Sequence, residues 1–200
     1  MSTPPPTKIN LGSGKDFKPD FLNIDISNYW SPDIVADVST DFPEGGRQTF
    51  QTTRFGEITV AHGTFDEIVC NDVLEHVPDL VRTVTNCLNL LKVGGLFNVI
   101  VPYDLSYGAW QDPTHVRAFN ERSWLYYTDW FWYLGWSEAR FVTQRLEYVV
   151  SPLGRELRTK GEPQDVVIRT PRAIDSMKVT FQKIELSESD RETLTKFTAR

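Results

Sequence analysis

The stretch from Phe65 to Pro102 constrains the chain most. Two apolar runs, "FDEIVCND" (Phe65 to Asp72) and "LFNVIVP" (Leu96 to Pro102), are nearly continuous in Ile, Val, Leu and Phe. Between them, in "DLVRTVTNCLNLLKVGG", Leu80, Val84, Leu88 and Leu91 recur at helical spacing, and Gly94-Gly95 supply the stop. Strand, helix and strand in that order make a βαβ unit, whose strands run parallel. Runs with so little alternation suit strands covered on both faces. The rest of the chain must therefore supply neighbouring strands and cover.

It does so unevenly. "KINLG", "FLNIDI" (Phe21 to Ile26) and "DIVADV" (Asp33 to Val38) read as three short strands. Between Gly14 and Phe21 there is room for only a turn or two of helix, and Pro19 interrupts it. Glu44 to Thr64 is polar and glycine-bearing; it reads as a long loop, with a hairpin through "EITVA" left open. Late in the chain "RFVTQRLEYVV" and "MKVTFQKIEL" read as an edge ribbon, separated by a basic, irregular stretch from Ser151 to Ser176. "WLYYTDWFWYLGW" holds eight aromatics in thirteen positions. There Trp124, Tyr127, Phe131 and Leu134 fall at helical spacing. Residues 1–7, with three prolines, are expected to form a poorly ordered leader, and 187–200 a polar tail or short exposed helix.

At 200 residues the chain is read as one domain, 1–200. A net charge of −6 argues against a general nucleic-acid or anionic-membrane binder. No apolar stretch approaches a bilayer span, and the N-terminus has no signal-peptide core. Cys70 and Cys87 make neither a zinc site nor a disulfide framework, so a reduced, cytoplasmic protein is the simplest reading.

"KINLGSGKDF" ends its apolar run in Gly12-Ser13-Gly14. Glycines there make a tight turn or let a ligand approach the strand's carboxyl end. The ordered set "INLGSGKDFKPDFLNIDI", "ADV", "FDEIVCNDVLEHV" and "LKVGGLFNVIVP" resembles class I S-adenosylmethionine-dependent methyltransferases over Lys8 to Pro102. The resemblance implies an α/β, Rossmann-like, seven-stranded, mostly parallel sheet with helices on both faces and an antiparallel C-terminal edge ribbon. It implies S-adenosylmethionine as cofactor. Gly12, Ser13 and Gly14 would lie at its methionine portion, Asp25 and Ile26 at its ribose, Asp37 and Val38 at its adenine, and Asn71 beside it. A carboxylate suits a ribose diol because it only accepts; the alternative for Asp25 is a turn cap.

Methyl transfer from a sulfonium needs alignment and exclusion of water, and a base only where the acceptor holds its proton. His115, in "QDPTHVRAFNERSW", is the candidate base. "DVLEH" looks like the ExxEH motif with which small-RNA 2′-O-methyltransferases and some quinone-pathway O-methyltransferases bind a divalent metal, with Asp72 in place of the first Glu. Asp72, Glu75, His76 and His115 are the alternative metal set. The reading adopted is metal-free, because "LEHV" also serves to hold a helix start. His76, Tyr103, Tyr107, Trp110 and Trp124 are assigned to the substrate side, and 103–136 to a lid or substrate-side segment that could also pair two copies. The expected function is methyl transfer to a small-molecule acceptor, at oxygen. A metal-assisted RNA 2′-O-methyltransferase and a catalytically idle interaction protein stand as alternatives.

Overall fold

A computed structural model describes residues 5–198. Nine strands and four α-helices follow in the order β1 (Lys8–Leu11), β2 (Leu22–Asp25), β3 (Ile34–Val35), β4 (Arg47–Thr52), β5 (Gly56–Ala61), β6 (Phe65–Asn71), α1 (Leu80–Leu90), β7 (Leu91–Pro102), β8 (Ala139–Val150), α2 (Pro152–Thr159), α3 (Gln164–Arg169), β9 (Ile174–Glu185) and α4 (Glu188–Thr198). Seven strands form one sheet in the order β3-β2-β1-β6-β7-β9-β8. The first five run parallel, and β9 is antiparallel to both β7 and β8. The expected parallel sheet with its antiparallel end pair is present, flanked by helices. Among the described residues no helix is long and apolar enough to cross a membrane.

The strand order reverses between β1 and β6. Crevices at the carboxyl ends of such strands are where ligands bind in open α/β sheets. The cover is uneven along the sheet. On β7, Phe97, Val99 and Val101 are buried while Asn98 and Ile100 are half-buried. On the buried side Phe97, Phe141 and Phe181 pack ring to ring at 5.6–6.2 Å. A fully buried ring of this size contributes roughly 1.5–3 kcal/mol through area alone.

The missing first helix has a substitute. Residues 47–61 form the hairpin β4–β5, apart from the main sheet, and Ile58 and Val60 bury its inner face. Near its tip Arg54 forks onto both carboxylate oxygens of Asp33 at 2.7 Å. The same guanidinium donates to the Pro19 and Phe21 carbonyls and lies 4.4 Å from the rings of Phe17 and Phe55. Burial works to raise the Asp33 carboxyl; Arg54 and Asn23 outweigh it and hold it below the usual range. Behind this clamp the buried Asn10 and Asn23 side chains pair at 2.9 Å. Asn10 also donates to Asp16 O, and Asn23 Oδ1 accepts the Lys18 amide. These bonds shape the β1–β2 loop that a helix would otherwise occupy.

Three other segments differ from expectation. The aromatic run forms two short 3-10 helices, Glu121–Tyr127 and Phe131–Leu134, rather than one helix. Its apolar face is nevertheless buried at Trp124, Tyr127 and Phe131. Ser151 to Ser176 is not irregular: Ser151 caps α2, and α3 follows. The 187–200 segment is helical through Thr198; Phe197 stacks on Trp132 at 3.7 Å and Asp190 pairs with Arg140. Its last two residues, like the first four of the 1–7 leader, lie outside the described residues.

Candidate active site

Two clefts meet at the carboxyl edge of the sheet. The first, about 270 Å³, lies over β1 and β2 and is walled by Leu11, Gly12, Ile24, Asp25, Ile26, Ala36, Asp37, Val38, Asp72, Val73, His76, Val77 and Pro78. Gly12 is held at φ 62°, and a Cβ there would stand 2.2 Å from Val73 Cγ2. Only bare backbone fits at this wall. Gly14 acts at one remove: its N–H donates to Asp25 Oδ2 at 2.8 Å, while Ser27 N–H donates to Oδ1 at 2.8 Å. Asp25 is thus the turn cap of the alternative reading and a wall of the cleft at once. Each of its oxygens keeps lone-pair capacity for a diol. Ser13 is buried behind the wall, its hydroxyl without a partner among the described residues.

Asp37 and Val38 line the far end. Asp37 Oδ1 accepts the Ser39 amide and hydroxyl, and Asn86 of α1 donates to the Val38 and Thr40 carbonyls at 2.9 and 2.7 Å. So α1 fixes the backbone that closes this end. Ile26 is 69% exposed and overhangs the mouth. The slot is largely apolar, and three carboxylates, Asp25, Asp37 and Asp72, border it. That donor set fits a nucleoside with a charged tail, such as S-adenosylmethionine.

Asn71 is not in this cleft. Side chains alternate along β6, and Asn71 opens onto a separate surface hollow with Lys18 and Lys178. Asp72 takes its place by turning into the left-handed region, φ 52°. Such a conformation costs a non-glycine residue roughly 1–3 kcal/mol and is tolerated mainly where surrounding structure imposes it. Here the Asp72 amide is held by Ile100 O at 2.9 Å.

The second cleft, about 350 Å³, shares Asp72 and His76 with the first and adds Glu75, Pro102, Gly108, Gln111, Asp112, His115, Asp175 and Ser176. The His76 and His115 rings lie edge to face at 4.5 Å. His115 Nδ1 is 3.0 Å from Ala109 O, which can only accept, so Nδ1 carries the proton and Nε2 keeps its lone pair. Thr114 donates its hydroxyl proton to Asp112, so His76 Nδ1–H donates to Thr114 Oγ1 at 2.9 Å. His76 Nε2 is likewise left as an acceptor. Glu75 is 1% exposed, and neither carboxylate oxygen has a hydrogen-bond partner among the described residues. Burial pushes its carboxyl up to about 7, and burial also raises Asp72. One ligand atom each of Glu75, His76 and His115 can be chosen so that all lie within 4.8 Å of one another.

The loops carrying these groups are tied together. Val116 N–H donates to Glu75 O at 2.9 Å. Arg117 donates to the Leu74 carbonyl at 2.9 Å, to Val77 O, and to Pro78 O at 3.1 Å. Nothing in the local sequence signalled Arg117 or Thr114 as parts of the site, because their partners are some forty residues away.

Two substrate-side assignments are corrected. Tyr103 is buried; its hydroxyl donates to Glu121 at 2.9 Å, and burial raises it above the usual phenol range. Trp124 is buried too, stacked on Phe119 at 5.2 Å and edge-on to Phe181 at 5.3 Å. Both complete the core, so the 103–136 segment supplies packing at its start and in its later part, and cleft wall between Gly108 and His115. Tyr107 and Trp110 line a third, outer hollow beside the second cleft.

A family model described as a methyltransferase domain matches residues 12–137. No curated protein matches the sequence. Among solved structures, the fold is similar to a SAM-dependent methyltransferase from Archaeoglobus fulgidus, with 13% identity, 88% of this chain and 85% of that chain covered, and a TM-score of 0.57. It is also similar to an S-adenosylmethionine-dependent methyltransferase from Mesorhizobium loti, with 14% identity, 88% and 89% covered, and a TM-score of 0.51. The match over more than half the chain, taken with the seven-stranded sheet and the cleft at its carboxyl edge, places this chain in the class I S-adenosylmethionine-dependent methyltransferase family.

Proposed function

We propose that the chain transfers the methyl group to a hydroxyl oxygen of a small-molecule acceptor, with His115 as the base. The observation that carries this reading is the shared wall: Asp72 and His76 border both clefts, so donor and acceptor meet there. When bound, S-adenosylmethionine supplies a methyl group already activated on a sulfonium. What the chain must add is alignment, exclusion of water and a place for the acceptor's proton. Gly12 and Asp25 seat the cofactor's backbone-facing side and its ribose. His115, its Nδ1–H committed to Ala109 O, offers Nε2 to an acceptor hydroxyl in the second cleft. A cleft of about 350 Å³ and a net charge of −6 support a small acceptor over a polyanion. The two buried, free cysteines support a reducing, cytoplasmic setting. Tyr126, Trp130 and Tyr133 form an exposed aromatic cluster, which supports self-association through this segment.

Titration with S-adenosylhomocysteine by calorimetry, followed by a mass-spectrometric acceptor screen, tests the reading. A gain of 14 mass units on an oxygen is the expected product.

A second reading is favoured by Glu75. A buried carboxylate with no partner beside two imidazoles with free Nε2 atoms is a donor set for a divalent cation. The metal-free reading expects full turnover in EDTA. Loss of turnover in EDTA, restored by Mn²⁺ or Mg²⁺ and absent in Glu75→Gln, would replace it with a cation-assisted reaction on the same acceptor.

A further inference from the structure

The outer hollow of about 310 Å³ is bounded by Leu105, Ser106, Tyr107, Trp110, Gln111, Pro171 and Arg172. It shares Gln111 with the second cleft, and the same two chain segments line both. One wall is the loop after β7, where Gly108 and Gln111 face the second cleft and Tyr107, Trp110 and Gln111 face the outer hollow. The other wall is the segment entering β9, with Asp175 and Ser176 in the second cleft and Pro171 and Arg172 in the outer one.

The chemistry changes sign along that path. Asp72, Glu75, Asp112 and Asp175 surround the inner cleft. The outer hollow contains no carboxylate and one arginine. Tyr107 and Trp110 are 61% and 64% exposed, and the Arg172 guanidinium lies 4.1 Å from the Tyr107 ring centre. Among the described residues no carboxylate forms an ion pair with Arg172.

Arg172 is also held in an unusual way. Its φ is 66°, a region that favours glycine. Its amide donates to Leu105 O at 2.9 Å, and its carbonyl accepts the Ser151 hydroxyl at 2.6 Å. The next residue is pinned as well, since a Cβ on Gly154 would meet Ala173 O at 2.1 Å. Glycine would satisfy this backbone without strain; the chain places an arginine there, in the hollow next to the second cleft. Strain of this kind is a reason to look for function.

We propose that this hollow is the outer acceptor subsite, and that the acceptor carries an anionic group, a carboxylate or a phosphate, on a flat or apolar body. The proposal rests on the second cleft being the acceptor site. Arg172 takes the anion in its planar fork, and Tyr107 and Trp110 take the body. The inner aspartates Asp112 and Asp175 repel the same anion, so the acceptor enters in one orientation, hydroxyl end first.

Calorimetric titration with benzoate, phenyl phosphate and benzamide, each with S-adenosylhomocysteine present in excess, tests this. At least one of the two anions should bind the wild type at least tenfold more tightly than neutral benzamide, and the stronger anion identifies the group. That preference should vanish in Arg172→Gly and in Arg172→Asn, both of which tolerate the left-handed backbone, and persist in part in Arg172→Lys. Equal binding of anion and amide by the wild type, or a preference kept in both Gly and Asn variants, overturns the proposal. If S-adenosylhomocysteine itself fails to bind, the methyltransferase reading fails; the benzoate–benzamide comparison without it still decides whether Arg172 holds an anion.

Discussion

The proposed cofactor cleft and acceptor cleft share a wall but differ in how their carboxylates are satisfied. On the cofactor side, both Asp25 oxygens accept backbone N–H groups, and Asp37 accepts two donors from Ser39. On the acceptor side, Glu75 is more deeply buried than either and has no partner among the described residues. A buried unpaired polar group costs about 1–3 kcal/mol, more if charged. On the cofactor side Asp25 and Asp37 are therefore satisfied by the fold and, among the described residues, only the Ser13 hydroxyl is left open, whereas the acceptor side holds a buried carboxylate whose desolvation only a proton, a ligand or a cation relieves. On the proposed reading that contrast separates residues that bind from residues that react, and each experiment below presses on it.

The largest effect should come from His115→Ala. A positioned base contributes about 10² to 10⁴ in rate. Turnover should fall by at least the lower figure while S-adenosylhomocysteine affinity stays nearly unchanged. Loss of cofactor affinity instead would merge the two clefts into one. Full activity would mean that the acceptor arrives already ionised.

Glu75→Gln should change stability with pH. The folded carboxyl titrates at about 7 against an ordinary 4.5, so the folded state keeps a proton that the unfolded chain releases. Stability is therefore full below the lower value and falls as pH rises through the higher one. At about 1.4 kcal/mol per pH unit the wild type loses up to roughly 3 kcal/mol by pH 8. Urea denaturation in EDTA should find Glu75→Gln more stable at pH 8 and the gap nearly closed at pH 4.5. No gap at pH 8 would mean that Glu75 is solvated after all. A gap erased by Mn²⁺ would favour the cation.

Asp25→Ala tests the cofactor side. It removes charge-assisted acceptors worth roughly 1.5–3 kcal/mol each from ribose and loop alike. S-adenosylhomocysteine should bind at least tenfold more weakly to a variant whose circular dichroism is unchanged. Wild-type affinity would remove Asp25 from the cofactor site.

What the sequence showed, and what it hid, follows the same division. Gly12, Asp25, Asp37 and Val38 were legible as the lining of the first cleft because their placement is local: each sits at or just beyond the end of a short strand. The βαβ unit was legible because Leu80, Val84 and Leu88 keep helical spacing and the run to Pro102 is nearly continuous in apolar residues. The acceptor side was less so. Asn71 and Asp72 differ by one position, and a left-handed φ at Asp72 decided which of them enters the cleft. Tyr103 and Trp124 look like Tyr107 and Trp110 in sequence; only packing against Tyr148, Phe119 and Phe181 separates core from wall. The Arg54–Asp33 clamp joins residues 21 apart, so the role of the polar insert could not be read from its composition.

The smallest effect should come from Thr114→Val, which tests whether the shared wall couples the two clefts. The hydroxyl bridges Asp112 to His76 Nδ1, and valine keeps the shape while removing the bridge. One such hydrogen bond contributes about 0.5–1.5 kcal/mol net. Without it His76 loses the partner that fixes its tautomer and can turn within its site. Because His76 borders both clefts, S-adenosylhomocysteine affinity and turnover should both fall, each by less than about thirteenfold, the limit set by roughly 1.5 kcal/mol. A fall in turnover alone would make His76 a residue of the acceptor side only. The cofactor cleft would then be independent of the chemistry it feeds, and the shared wall would be a matter of proximity rather than coupling.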